Sequence, residues 1–248
     1  MSSTGSFKRI LIGGVTGGIG SALAARLLEA GHAVAGFARK EPESAPPGVD
    51  FISADARRSE AVENAFDEAE EALGAIDAYV HAVGSVFLKP AHLLTDAEWD
   101  EVITTNLHSA FYAGRAAVRR MRSARAGQVL FLSSVASRIG LSNHEAIAAA
   151  KGGINGLVQS LAASYAPFGL RINAVALGLV ETGATSSLLG SEKAREISTR
   201  MHPLGSIGRA SDVASLLAWL LSPEAAWMTG QILTFDGGMS SVLPKPRA

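Results

Sequence analysis

The chain has 248 residues, of which 48% are hydrophobic and 18% charged, so a sizeable core is available and extended disorder is not expected. Its 22 Lys and Arg against 23 Asp and Glu give a net charge of −1, which provides no electrostatic footprint for nucleic acid or for an anionic membrane surface. Cysteine is absent, which excludes disulfides, thiolate chemistry and cysteine-held metals and fits a cytoplasmic protein.

In chain order, the polar start Met1–Arg9 leads into Ile10, Leu11 and Ile12, a run cut off by Gly13 and Gly14. That run is too short for a signal-peptide core or a membrane span. Strands are predicted at Lys8–Ile12, Ala33–Phe37, Asp50–Ser53, Ala75–Val83, Gln128–Ser133, Arg171–Ala176 and Gln231–Phe235. Helices are predicted at Ile19–Ala30, Ser59–Leu73, Asp96–Arg122, Glu145–Ala166 and Ser211–Leu221. Glu41–Gly48 reads as a loop and Leu243–Ala248 as a loose tail. Most of the strands are continuous apolar runs, as expected where helices cover both faces of a sheet. Strand–helix alternation without a repeat or a dividing linker predicts a single α/β domain over residues 1–248. Its expected form is Rossmann-type, a doubly wound parallel sheet that binds ligands at the carboxyl ends of its strands.

The segment Gly14-Val15-Thr16-Gly17-Gly18-Ile19-Gly20 stands where the first strand hands over to the first helix. Glycines let the backbone turn sharply, and the free N–H groups of a helix start favour a pyrophosphate. A strand before it and a helix after it are the context that a dinucleotide-binding loop requires. Gly14, Thr16, Gly17, Gly18 and Ile19 are the expected contacts. After the second strand the chain reads Ala38-Arg39-Lys40, with no acid to hold a ribose 2′-hydroxyl. Arg39 there favours the 2′-phosphate of NADP(H) over NAD.

With these residues in place, the sequence resembles the short-chain dehydrogenase/reductase family over nearly its whole length. Gly14, Gly18 and Gly20 match that family's T-G-x-x-x-G-x-G, with Gly13 at the threonine position. The resemblance implies adenine contacts at Asp55 and Ala56. It implies further cofactor contacts at Ala82 and Gly84, in a segment where His81, Ala82 and Val83 replace the rest of N-N-A-G. Gly178, Val180 and Thr182 fall in the nicotinamide loop, with Leu177 in place of its usual proline. Asp236-Gly237-Gly238 closes the domain as in the family. The same resemblance implies a small-molecule substrate and a homo-oligomer, dimer or tetramer.

The family's reaction uses serine, tyrosine and lysine, with an asparagine nearby. Tyrosine exchanges a proton with the substrate oxygen, while lysine lowers the tyrosine pKa and holds the ribose. Ser134, Lys151 and Asn106 match three of these. Ile147, four residues before Lys151, occupies the tyrosine position and can neither ionise nor hydrogen-bond. The three tyrosines offer no substitute: Tyr79 lies in a strand, Tyr112 well along a helix, and Tyr165 fourteen residues past Lys151, roughly 21 Å at helical rise.

His144, in the loop before the helix, is an alternative proton-transfer group, or else a wall or helix-start residue. Asn143 is the expected helix cap, Glu145 a weaker acid candidate, and His81 a stand-in for asparagine beside the cofactor. No metal site is expected. The pocket is expected from Ser85–Leu94, Arg138–His144 and a lid over about 181–203, with an apolar lining that includes Phe87, Leu88, Leu141, Leu188, Leu189 and Met201. The leading reading is an NADP(H)-dependent oxidoreductase with an altered proton donor. A catalytically inactive NADP(H)-binding partner or sensor, or an enzyme of different chemistry in the same pocket, are the alternatives.

Overall fold

A computed structural model describes residues 8–40 and 47–243. Residues 41–46 of the expected loop and the tail from 244 onward lie outside the described residues. The main sheet is all parallel, with seven strands in the order β3-β2-β1-β4-β5-β6-β9. In chain order these are β1 (Arg9–Gly13), β2 (Ala33–Ala38), β3 (Val49–Ser53), β4 (Ala78–His81), β5 (Gly127–Ser134), β6 (Leu170–Leu177) and β9 (Ile232–Phe235). A separate two-stranded pair joins β7 (Val180–Glu181) to β8 (Gly208–Arg209). The strand order reverses direction beside β1, and in doubly wound sheets the crevice at that point takes the ligand.

Alternation along each strand sends neighbouring side chains into opposite layers. Ile10, Ile12, Val34, Val80, Leu130 and Val175 form one core with α1 (Gly18–Glu29) and α7 (Ala210–Leu221). Leu11, Phe37, Tyr79, Val129, Phe131 and Ile172 form the other, against α2 (Ser59–Leu73), α4 (Ser109–Ala124) and α5 (Glu145–Tyr165). In α2 the buried face is Val62, Ala65, Phe66 and Ala69, the i, i+3, i+4, i+7 spacing of an amphipathic helix. The helix ends where Gly74 adopts a left-handed conformation at φ 79°.

Two expected elements differ in the structure. The strand expected over Ala75–Val83 is shorter, Ala78–His81, with the backbones of Asp77 and Ala82 still bonded to the Arg9 and Gly13 carbonyls of β1 at its two ends. The single helix expected over Asp96–Arg122 is α3 (Asp96–Ile103), a π-helical turn at Thr104–His108, then α4. Thr95 and Glu98 start α3 with a reciprocal capping box. The π-turn carries Asn106, and π-turns recur at functional sites because the extra residue re-aims a side chain. The expected lid contains a 3₁₀ segment, Gly183–Leu189, and α6 (Glu192–Arg200), and begins at the β7–β8 pair.

Phe66 is fully buried, with its ring centroid 5.0 Å from that of Tyr79. Phe66→Ala should lower the unfolding free energy by about 3–5 kcal/mol in urea melts, the range for deleting a core aromatic.

Candidate functional site

The glycine turn is shaped by close backbone approach. A β-carbon on Gly20 would lie 2.3 Å from the Gly14 carbonyl oxygen, so the first turn of α1 can fold onto β1 only with hydrogen at that position. Gly14 itself has φ +80°, and a β-carbon there would sit 2.8 Å from the Ala82 carbonyl carbon. Its N–H donates to the Phe37 carbonyl at 2.8 Å. Thr16, Gly17 and Gly18 are left exposed at the start of α1, where N–H groups and the helix dipole favour an anion. These features fit a dinucleotide pyrophosphate.

The other expected cofactor residues follow the same sheet edge in strand order. Asp55 and Ala56 follow β3, Arg39 follows β2, Gly14 follows β1, Ala82 and Gly84 follow β4, and Gly178, Val180 and Thr182 follow β6. Arg39 is exposed. The Asp55 carboxylate is gripped by Arg57, with contacts of 2.7 to 3.1 Å, and this hydrogen bonding holds its pKa below the usual carboxylate value. Thr182 packs on the start of α1, since a β-carbon on Gly18 would lie 3.0 Å from its methyl group.

A cavity of about 460 Å³ opens at this edge, lined by Ile19, Ala82, Gly84, Gly178, Val180 and Thr182 on the cofactor side. Ser134, His144, Ile147 and Lys151 line it too. Ser134 ends β5, and its Oγ accepts from the Ala136 N–H at 3.2 Å, which leaves the hydroxyl proton free. Ser133 is buried instead and bonds Asn155 Oδ1 at 2.7 Å.

Lys151 and Ile147 are one turn apart on α5. Lys151 Nζ donates to the Leu132 carbonyl at 3.0 Å, and burial pushes its pKa down to about 8. Ile147, 4% exposed, belongs to an apolar cluster with Val102, Ala146 and Ala150. None of the three tyrosines lines the cavity.

Asn106 is fully buried and does not line the cavity. Its amide donates to the Val102 carbonyl and to Ser85 Oγ, and its Oδ1 accepts from the Ser85 N–H. Through these bonds it fixes Ser85, which does line the cavity. The cap of α5 is His144 rather than Asn143, and no side-chain bond caps that helix. Asn143 holds a left-handed φ of 64° and gives its carbonyl to the Lys89 N–H. His144 Nδ1 lies 2.7 Å from the Ser142 carbonyl, which can only accept, so Nδ1 carries a proton and in the neutral ring Nε2 keeps its lone pair.

His81 is placed differently from its sequence reading, and His202 enters the site without having had one. His81 is fully buried on the α4 side of the sheet and does not line the cavity. His202, which sequence reasoning left without a role, is 4% exposed and ties the lid to the loop after β6. Its Nδ1 bonds the Ser198 carbonyl at 2.7 Å and its Nε2 accepts from the Leu179 N–H at 3.1 Å. No periodic signal marks such a residue, because its link to Leu179 spans 23 residues. Among the described residues no group of His, Asp and Glu is disposed to hold a metal, and no helix is long and apolar enough to cross a membrane.

Residues 14–240 match a protein-family model described as Enoyl-(Acyl carrier protein) reductase. The chain is 32% identical over 244 residues to 3beta-hydroxysteroid dehydrogenase 1 of Eggerthella lenta, covering 94% of each chain. It is 32% identical over 242 residues to the 3-oxoacyl-[acyl-carrier-protein] reductase FabG of Escherichia coli, covering 95% of this chain and 98% of that one. The ligand-free aldohexose dehydrogenase of Thermoplasma acidophilum superposes with a TM-score of 0.89 at 30% identity, over 98% of both chains.

A buried ammonium with one acceptor should titrate early. An NMR titration of Lys151 Cε should show a midpoint near 8, where exposed lysines titrate at about 10.4. Because folding depresses this pKa, the folded state binds fewer protons between those values. Wild type should therefore gain stability relative to Lys151→Met as pH rises from about 8 to about 10.4.

Proposed function

The chain belongs to the short-chain dehydrogenase/reductase family, an oxidoreductase family, and within it we propose an NADP(H)-dependent enzyme that interconverts a carbonyl and an alcohol with an altered proton donor. The observation that carries this reading is the convergence of Ser134, His144 and Lys151 on one cavity with the cofactor-side residues Ile19, Gly178 and Thr182. A bound NADP(H) would supply or take the hydride. Gly14, Thr16, Gly17, Gly18 and Ile19 would hold its pyrophosphate, and Arg39 its 2′-phosphate. Asp55 and Ala56 would border the adenine, and Ala82, Gly84, Gly178, Val180 and Thr182 the nicotinamide half. Lys151 has two N–H groups beyond the one given to Leu132, and these serve the ribose.

Ser134 donates its free hydroxyl proton to the substrate oxygen. His144 takes the place of the missing phenol. In alcohol oxidation its Nε2 lone pair accepts the hydroxyl proton, and in carbonyl reduction the doubly protonated ring returns it. Asn106 contributes by holding Ser85. The substrate is neutral and mainly apolar: Leu88, Leu141, Leu188, Ile197 and Met201 line the cavity, and among the described residues Lys151 is its sole Lys or Arg and no carboxylate lines it. A cytoplasmic homo-oligomer, dimer or tetramer, belongs to the same reading, and Phe111 on α4 and Trp219 on α7 offer exposed apolar surface for it. The second reading, an NADP(H)-binding protein without turnover, is favoured by Ile147 itself, buried among apolar neighbours at the position of the phenol.

NADPH consumption against neutral aliphatic and cyclic ketones and carboxylate-bearing ketones decides between them. The oxidoreductase should turn over the neutral ketones. Tight NADPH binding with no turnover of any substrate would leave the second reading. Removing the substitute proton carrier in His144→Ala should lower kcat by about 10²-fold or more, the usual size of a general acid–base contribution, with NADPH affinity kept. Retained activity would remove His144 from the mechanism. Arg39→Ala should weaken NADPH binding by roughly tenfold, the loss of one charge-assisted phosphate contact, with little effect on NADH.

A further inference from the structure

A chain of polar side chains crosses the otherwise apolar layer between the sheet and α4. Tyr79, His81 and Ser109 are each 0% exposed. Tyr79 Oη lies 2.7 Å from His81 Nδ1, His81 Nε2 lies 3.1 Å from Ser109 Oγ, and Ser109 Oγ lies 2.7 Å from the Thr105 carbonyl.

The direction of every bond follows from its end. The carbonyl can only accept, so Ser109 donates to it and must accept from His81. Nε2 therefore carries the imidazole proton, and Nδ1 accepts from the Tyr79 hydroxyl. The ring is neutral: burial, with the Lys151 charge adding to it, holds His81 down at about 3. Every N–H and O–H donor in the chain has an acceptor, so none is left buried and unpaired.

The two ends give the chain its meaning. At one end, a β-carbon on Gly13 would lie 2.4 Å from Tyr79 Oη, so the residue before the cofactor loop leaves room for this hydroxyl. At the other, Thr105 lies in the π-turn, next to Asn106. Asn106 in turn holds both the N–H and the hydroxyl of Ser85 on the cavity wall.

We infer that His81 is a positioning residue. Its ring is set by Tyr79 in the space left by Gly13, and through Ser109 it fixes the π-turn so that Asn106 and Ser85 hold their places at the cavity. Two of the departures from the family's motifs, Gly13 and His81, then form a single device. The inference rests on the proposed role of this cavity, but its test is read on the fold as well as on turnover.

The test compares wild type with Ser109→Ala and Tyr79→Phe. The ¹⁵N chemical shifts of His81 should report the Nε2–H tautomer in wild type. Amide hydrogen exchange at Thr104–His108 and Ser85 should rise about tenfold or more in both variants, ahead of any rise at Gly14 and in β2. With an active substrate, kcat should fall while the NADPH dissociation constant stays within about twofold, a split that general destabilisation would not give. An Nδ1–H tautomer in wild type overturns the inference. So does unchanged exchange at Thr104–His108, or a rise there no larger than the fall in global stability explains. If wild type turns over no substrate, the oxidoreductase reading falls, while the tautomer and exchange results still judge the positioning claim.

Discussion

Gly20 is pressed so close to the Gly14 carbonyl that a single β-carbon would stand 2.3 Å from the oxygen, and the geometry of the sheet edge follows from that contact. Because α1 can begin directly over the end of β1, its exposed first turn points along the carboxyl edge of the strands. The chain then pairs outward to β2 and β3 on one side and to β4, β5 and β6 on the other. Gly14, Arg39, Asp55, Ala56, Ala82, Gly84, Gly178 and Thr182 follow the carboxyl ends of these strands, and Lys151 reaches the same edge from α5. A side chain at position 20 would lift the helix from the sheet and separate the anion-attracting turn from Gly84, Gly178 and Thr182.

Position 147 shows how far the two halves of such a site can diverge. The cofactor half keeps its turn, its lysine and its closing loop, all set by backbone packing. In the proposed reading the proton-transfer half is without its usual phenol, and position 147 is an isoleucine whose neighbours are Val102, Ala146 and Ala150, with Leu88, Ile103 and Leu107 packed around them. The apolar surroundings match the isoleucine, so the change is built into the cavity floor rather than dropped into a polar site. In the proposed reaction the proton carrier therefore comes from the rim, where His144 presents a nitrogen with a free lone pair.

Much of this was legible in the sequence because it depends on local rules. Continuous apolar runs marked the central strands, the glycine turn marked the hand-over to α1, and the i, i+4 spacing put Ile147 and Lys151 on one face. The break at Thr104–His108 was not legible: apolar residues recur at helical spacing from Asp96 to Arg122, and a π-turn needs no proline or glycine to announce it. Strand parity placed Tyr79 and His81 on the same face of β4 but could not say which layer that face meets, so His81 was read beside the cofactor when it lies under α4. His202 was silent for a similar reason, since its bonds join a lid to a loop 23 residues away.

Asn106 and His202 share a physical character. Each is a polar group with no free valence toward the cavity, and each spends its hydrogen bonds on backbone or side chains that hold something else. Asn106 satisfies its amide on Val102 and Ser85, and His202 joins Ser198 to Leu179. Their spent bonds distinguish them, even though His202 lines the cavity, from Ser134, His144 and Lys151, which keep donor or acceptor capacity for a ligand. Unspent hydrogen-bonding capacity at a cavity wall is therefore the better criterion for which groups act on a ligand, and fully spent capacity for which groups hold those groups in place.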